Sequence, residues 1–406
     1  MRAATTPTGR QAASRYLDPF AWLVRSVLWA LGAGLLVLLL ASDRTARLDH
    51  ALYDLHMRHW SYTPGEDVVI VAIDMRSLAA LGRWPWPRAV HARLIDRLTA
   101  DGVRGIGMDV TVSEPDVAHP ENDAALAAAA ARNGRVAFPV FAEARELGGM
   151  PEEIEPIPAV AKVAAALGQV DVPIGDDRVA RAAYLKAGLG SPYWPALGLA
   201  LLQLDQPAAA SPLPGLRDDD SNPRSPYLWE RDNLVLLHYA GPDGSFGRVS
   251  YADVLDGQVP PSLLKGKWVL VGATADGMRD IIDTPVGTMP GVEYQANLLE
   301  TLRRGMAILP LNLAGRCLLG MAMLALPLVL YGLPGLRRAW RAAAVAALAC
   351  LLLSALLLRH AGLWWPPAAC VALILAGAVL WELANRLDVL LRRRSRRRLL
   401  AASLGA

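Results

Sequence analysis

The chain has 406 residues, 53% of them apolar, and a formal net charge of +3. So mild a charge argues against a nucleic-acid partner, and so large an apolar fraction excludes an ordinary water-soluble domain in favour of membrane insertion. The length leaves room for more than one structural unit.

Arg2, Arg10 and Arg15 open the chain ahead of a first apolar stretch, Phe20–Ala41, long enough to cross a hydrocarbon core of about 30 Å. Arg25 interrupts it near its start, where a long side chain can snorkel to the interface. LLLASD resembles a cleavage region, but the run exceeds the roughly 7–15 apolar residues of a signal-peptide core, so a retained anchor is expected. Beyond it, Asp43–Arg304 holds 35 acidic and 25 basic residues, so the overall charge conceals an acidic centre between basic ends.

Within that centre VVIVAID, Val68–Asp74, is an unbroken β-branched run that reads as a buried strand. GRWPWPR, Gly82–Arg88, follows it. Proline fixes its own φ, lacks a donor and disfavours helix in the residue before it, so this stretch is a stiff, extended connection. Pro87 suits the first turn of the next helix, Pro87–Ala100, whose Val90, Leu94, Ile95 and Leu98 recur at helical spacing. Gly102 closes that helix and Gly105–Val112 is a second strand, which together imply a right-handed crossover between parallel strands. An Ala-rich helix (Asn122–Arg132), a turn at Asn133-Gly134 and a strand (Arg135–Phe141) continue the pattern. Pro151–Pro158 and Pro207–Pro226 read as surface loops; Leu234–Tyr239 and Lys267–Ala273 read as strands, and Val292–Arg304 as a helix. The expected fold is α/β, a mostly parallel sheet flanked by helices.

Three more apolar stretches follow, Pro310–Leu333, Trp340–Leu358 and Leu363–Leu383, making four expected transmembrane helices. Arg337, Arg338 and Arg341 lie between the second and third, and Arg392–Arg394 with Arg396–Arg398 follow the fourth. Because positive residues favour the cytoplasm, these sets and the N-terminal arginines are expected inside together. The expected division is then a cytoplasmic N-terminus (1–19), an anchor (20–41), an outer domain (42–309), three membrane helices (310–383) and a basic cytoplasmic tail (384–406). All three cysteines, Cys317, Cys350 and Cys370, fall in expected spans, leaving none for a disulfide outside.

Candidate site residues cluster in the strand ends. Asp74 and Asp109 end the first two strands, and Asp280 and Asp283 follow the late one. Ligands of open α/β sheets bind at the carboxyl ends of strands, so these acids are expected near Arg83, Trp84, Trp86 and Arg88. Two roles are open: a lock, with the rings packed on the sheet and Arg83 and Arg88 tying Asp74 and Asp109, or a ligand shelf. The acids can equally cap helices and pair with Arg83, Arg88 or Arg279. No phosphate loop, dinucleotide spacing or hydrolase elbow is present, and the scattered histidines form no zinc pattern, so neither metal nor cofactor is expected.

VVIVAIDMRSLAALGRWPWPRAVHARLIDRL (Val68–Leu98), GIGMDVTVSEPD (Gly105–Asp116) and LKGKWVLVGATADGMRDIIDTPVGTMPGVEYQANLLETL (Leu264–Leu302) resemble the second type of CHASE domain, the extracytoplasmic sensory domain of bacterial cyclases and kinases. The resemblance implies an N-terminal anchor, an outer sensory domain and three membrane helices leading to a cytoplasmic output, in the bacterial inner membrane. After Leu400 only AASLGA remains, without cyclase or kinase motifs, so the output is expected beyond this chain or in a separate cytoplasmic partner. The expectation is a receptor module that is not itself an enzyme, responding to an envelope signal, small molecule or protein, and working as a homodimer in the lipid bilayer. The alternatives are an envelope hydrolase or transferase using the strand-end acids, and a membrane adaptor binding an envelope protein.

Overall fold

Six consecutive apolar residues, Val68–Ile73, form β1 and are buried on both faces, as strands inside an α/β layer must be. In the computed structural model, which describes residues 19–144, 149–205, 212–217, 225–278, 280–331, 339–383 and 386, β1 lies between two other strands of a seven-stranded sheet. The N-terminal arginines Arg2, Arg10 and Arg15, the side chain of Arg25, Arg279, Arg337, Arg338 and the tail from Arg392 lie outside the described residues, as does much of the Pro207–Pro226 segment. The chain divides into two units, Leu52–Pro310 and a second made of Met1–Ala51 with Leu311–Ala406.

The Leu52–Pro310 unit follows the expected crossover. After β1 come α3 (Met75–Leu81), α4 (Arg88–Ala100) and β2 (Gly105–Asp109); α1 and α2, which precede them, are Pro19–Ala41 and Ala46–Arg58. Next are α5 (Pro120–Asn133), β3 (Val136–Ala144), β4 (Pro151–Ile154), α6 (Pro158–Ala161) and β5 (Ala166–Gln169). The sheet is completed by β9 (Gly247–Ser250) and β10 (Trp268–Ala273), reached after β6 (Ala182–Leu189), β7 (Trp194–Pro195), α7 (Leu197–Gln203), β8 (Trp229–Leu236) and α8 (Tyr251–Leu255). Its order is β4-β3-β2-β10-β1-β9, with β5 also on β3, and every pairing is parallel except β3 with β4. α4, α5 and α8 cover one face around Leu94, Leu98, Leu126 and Tyr251, and α7 with α9 (Gly291–Arg303) covers the other around Leu197, Leu201, Val292 and Leu299.

Three expectations need correction. Pro151–Pro158 is not a loop: β4 pairs antiparallel with the end of β3, and α6 begins at Pro158, because proline is tolerated on an edge strand and in the first turn of a helix. The strand expected at Leu234–Tyr239 is β8 and leaves the parallel sheet, joining β7-β6-β8, a three-stranded antiparallel sheet. Pro87 is the cap of α4, with ψ 141°, and the helix begins at Arg88. One further pair, β11 (Ile281–Thr284) and β12 (Gly287–Pro290), forms a hairpin ahead of α9.

The end of α2 is clamped within this unit. Arg181, almost fully buried, forks onto Asp54 through two 2.7 Å bonds and also holds Asp177. Tyr53 donates to the Leu237 carbonyl and Arg58 to that of Pro285.

In the other unit α10 (Leu313–Leu330) and α11 (Ala339–Ala361) are long and apolar enough to cross a membrane. Residues 26–41 of α1 together with α2, bent by 75°, count as a third if taken as one span. The fourth expected span is a shorter apolar helix, α12 (Ala368–Leu383), so four spans are not established among the described residues. Pro366 and Pro367 stand just before α12, where a helix cannot extend backward; Asp49 accepts from the Ala368 amide at 2.8 Å and caps it.

Candidate functional site

The residues that point outward from the carboxyl ends of β1, β2 and β10 divide into those that build the fold and those that it leaves open. Asp74 belongs to the first group. It is the N-cap of α3, its Oδ1 accepting from the Ser77 amide at 2.8 Å and from the Ser77 hydroxyl at 2.6 Å. Ser250 donates to the same oxygen at 3.0 Å, and Ser77 in turn accepts from the Ala252 amide, so one D-x-x-S stretch stitches α3 to the start of α8.

GRWPWPR begins at Gly82, the C-cap of α3, whose φ of +88° suits glycine, and carries a cis bond between Trp84 and Pro85. Trp86 is buried, its indole donating to the Gly82 carbonyl at 3.0 Å and packing 4.9 Å from the Tyr251 ring. His91 lies beneath, sharing a 2.8 Å hydrogen bond with the Tyr251 hydroxyl. Burial, reinforced by the nearby Arg88 charge, lowers the His91 pKa to about 4, so the ring is neutral at physiological pH. Trp84 stands edge-on to Trp86 at 5.1 Å and is only half-buried. Trp86 thus acts as a fixed post, and Trp84 as a surface that it braces.

The lock between arginines and strand-end acids does not form. Arg88 pairs with Asp123 of α5 at 3.1 Å and donates to the Glu114 carbonyl, far along the chain from Asp74. Arg83 is exposed and has neither a hydrogen bond nor an ion pair among the described residues. It lines a crevice of about 520 Å³ together with Leu78, Gly82, Trp84, Gly277 and Met278. A second cleft, of about 410 Å³, is lined by Asp74, Arg76, Arg248, Ser250, Thr274 and Asp276. Arg248 is a residue the sequence reading passed over, because β9 is only four residues long and carries no apolar run.

Asp109 and Asp280 form a third feature. Asp109 ends β2; desolvation first, then the charge of Asp280, raises its pKa to about 7. Asp280 is also raised by desolvation, an effect opposed by the Gly291 amide at the start of α9. Two glycines make room here. A Cβ on Gly291 would lie 2.4 Å from an Asp280 carboxylate oxygen, and one on Gly272 would strike Val292 of α9 at 2.6 Å. The V-G-A-T and P-G-V-E stretches therefore serve the close packing of α9 on β10. Glu293, fully buried, accepts from the Gly244 and Ser245 amides and pairs with Arg248, holding the loop before β9 against α9.

The predicted set is thus brought to one end of the sheet but not to one point. Asp74, Trp86 and Arg88 are occupied by structural contacts; Arg83 and Trp84 share a crevice; Asp109 and Asp280 face each other. Among the described residues no three His, Cys, Asp or Glu side chains are grouped to hold a metal. Neither a curated protein nor a solved structure matches the chain. The family model of the CHASE2 domain, a sensory extracytoplasmic domain, does match it, over residues 32–329, well over half its length, and the chain accordingly belongs to the CHASE2 family.

Proposed function

We propose that this chain is the sensory and transmembrane part of a bacterial inner-membrane receptor, with an envelope signal acting at the carboxyl ends of β1 and β10. The observation that carries the reading is the crevice in which an unpaired guanidinium, Arg83, stands beside the braced indole of Trp84, with Leu78 and Met278 as apolar walls. An unpaired guanidinium selects a carboxylate or similar anion, and an indole face with a thioether selects an apolar or aromatic body. The ligand class is a small amphiphilic anion. Engagement of the Gly277-Met278 wall tugs the segment leading to Asp280 and the start of α9, and α9 precedes the apolar helix α10 in the sequence. A signal that binds two positions of this segment unequally then biases the membrane helices of a homodimer and, through them, a cytoplasmic output domain or partner.

The test is the melting temperature of the full chain in detergent, measured against benzoate, indole-3-acetate and hexanoate. The expected result is an upward shift with at least one of them, lost in the double variant Arg83→Ala, Trp84→Ala while its ligand-free melting temperature stays within a few degrees. Equal shifts in the wild type and the double variant, or none at millimolar ligand, would overturn the crevice as the site.

A second reading has one observation in its favour. Asp109, with its pKa near 7 beside Asp280, is poised as a general acid or base, which suits an envelope hydrolase or transferase. A turnover lost on Asp109→Asn with folding kept would establish it.

A further inference from the structure

All three cysteines lie in the unit that carries the apolar helices, and two of them meet. Cys350 of α11 and Cys370 of α12 are 0% and 1% exposed, and their sulfurs are 3.8 Å apart. The Cys370 sulfur also lies 3.5 Å from the Gly320 carbonyl oxygen of α10, which accepts its proton and leaves the sulfur as the acceptor for the Cys350 thiol. The pair belongs to a buried apolar cluster that also holds Leu36, Cys317, Ala346, Ala347, Trp365 and Ile374. Cys317 shares that cluster but has no sulfur contact among the described residues, so the neighbourhood of the two other sulfurs is specific to them.

We propose that Cys350 and Cys370 are a modification site, a dithiol that hydroperoxides convert to a disulfide joining α11 to α12. Burial in an apolar cluster disfavours charged and bulky aqueous oxidants, so the oxidant proposed is a small neutral one. One sulfur attacks a peroxide oxygen; the O–O bond breaks, water departs with the thiol proton, and a sulfenic acid remains. The other sulfur, already in van der Waals contact, attacks the sulfenic sulfur; the S–O bond breaks, the hydroxyl leaves as a second water with the second thiol proton, and the S–S bond forms. Each cysteine sulfur is oxidised by one electron, and one hydrogen peroxide is reduced to two waters. The crosslink replaces a contact between two apolar helices with a covalent staple, which fixes their spacing whatever happens in the outer domain. This inference does not depend on the crevice and survives its failure.

The experiment treats the full chain in detergent with hydrogen peroxide and maps disulfides in non-reducing peptide digests, with the chain unfolded in denaturant before oxidation as the comparison. The expected product in the folded chain is a Cys350–Cys370 linkage to the exclusion of linkages through Cys317, whereas the unfolded chain gives mixed linkages; it is reversed by dithiothreitol and unchanged in Cys317→Ser. Cys350→Ser and Cys370→Ser should each yield no intramolecular disulfide. Persistence of all three thiols in the folded chain at a peroxide dose that oxidises the unfolded chain, or linkage through Cys317 instead, would overturn the proposal.

Discussion

The two ends of the parallel sheet are built from similar residues and treated differently. At the amino ends of β2, β3 and β10, Arg104 and Arg135 both pair with Asp205 and both lie over the Trp268 ring, at 5.2 and 5.8 Å. Both arginines there have a carboxylate partner, and the indole is buried. At the carboxyl ends Arg83 has no ion pair among the described residues, Trp84 is half-exposed, and Asp109 faces another carboxylate. Perturbed, unpaired groups gather where a fold gives up stability for function, whereas paired ones mark where it does not. The two ends thus differ in how completely their arginines are paired, not in residue type.

Substitutions can break this contrast, and the largest effect belongs to the amino end. Trp268→Ala empties a buried site and should cost about 3–5 kcal/mol, seen as an early loss of outer-domain structure in denaturant melts. At the carboxyl end Asp109→Asn should do the reverse. Because the folded pKa of about 7 exceeds the ordinary value of 3.8, folding takes up a proton; the stability this provides is full below about pH 4 and is lost as pH rises through 7. At pH 8 the variant should be more stable than the wild type by on the order of 1–2 kcal/mol, once solvent screening of a half-buried group is allowed for, with the gap closing toward pH 4. A gap that widens toward acid would mean that Asp109 is stabilised as the anion. Asp74→Ala removes the α3 cap and should cost about 1 kcal/mol. Arg83→Ala should change stability by less than about 0.5 kcal/mol, since nothing in the described structure depends on it.

Much of the architecture was legible in the sequence, and the failures have physical causes. Val68–Asp74 and Lys267–Ala273 could be read because a strand buried on both faces needs an unbroken apolar run, and Pro87–Ala100 because one helix face repeats every 3.6 residues. β6 was missed: AAYLKAGL alternates in burial but is rich in alanine and glycine, so no β-branched signal marks it. α3 is only seven residues long, and its D-x-x-S cap was the signal that could have revealed it. The site was legible as a region and not as contacts. Which acid an arginine meets is decided by tertiary packing, and Arg88 finds Asp123 on α5, not either strand-end acid. The raised pKa of Asp109 needs both its burial and the approach of Asp280, neither of which spacing alone reveals.

The most direct measurement is amide hydrogen–deuterium exchange on the full chain with and without whichever of the three carboxylates raises its melting temperature. Protection confined to the segments around Gly82–Trp86 and Thr274–Met278, with Arg104–Gly107 and Arg135–Ala137 unchanged, is what a sensing site at the carboxyl ends predicts. Protection at those amino-end segments, or in β6 and β8 with none at Gly82–Trp86, would contradict it.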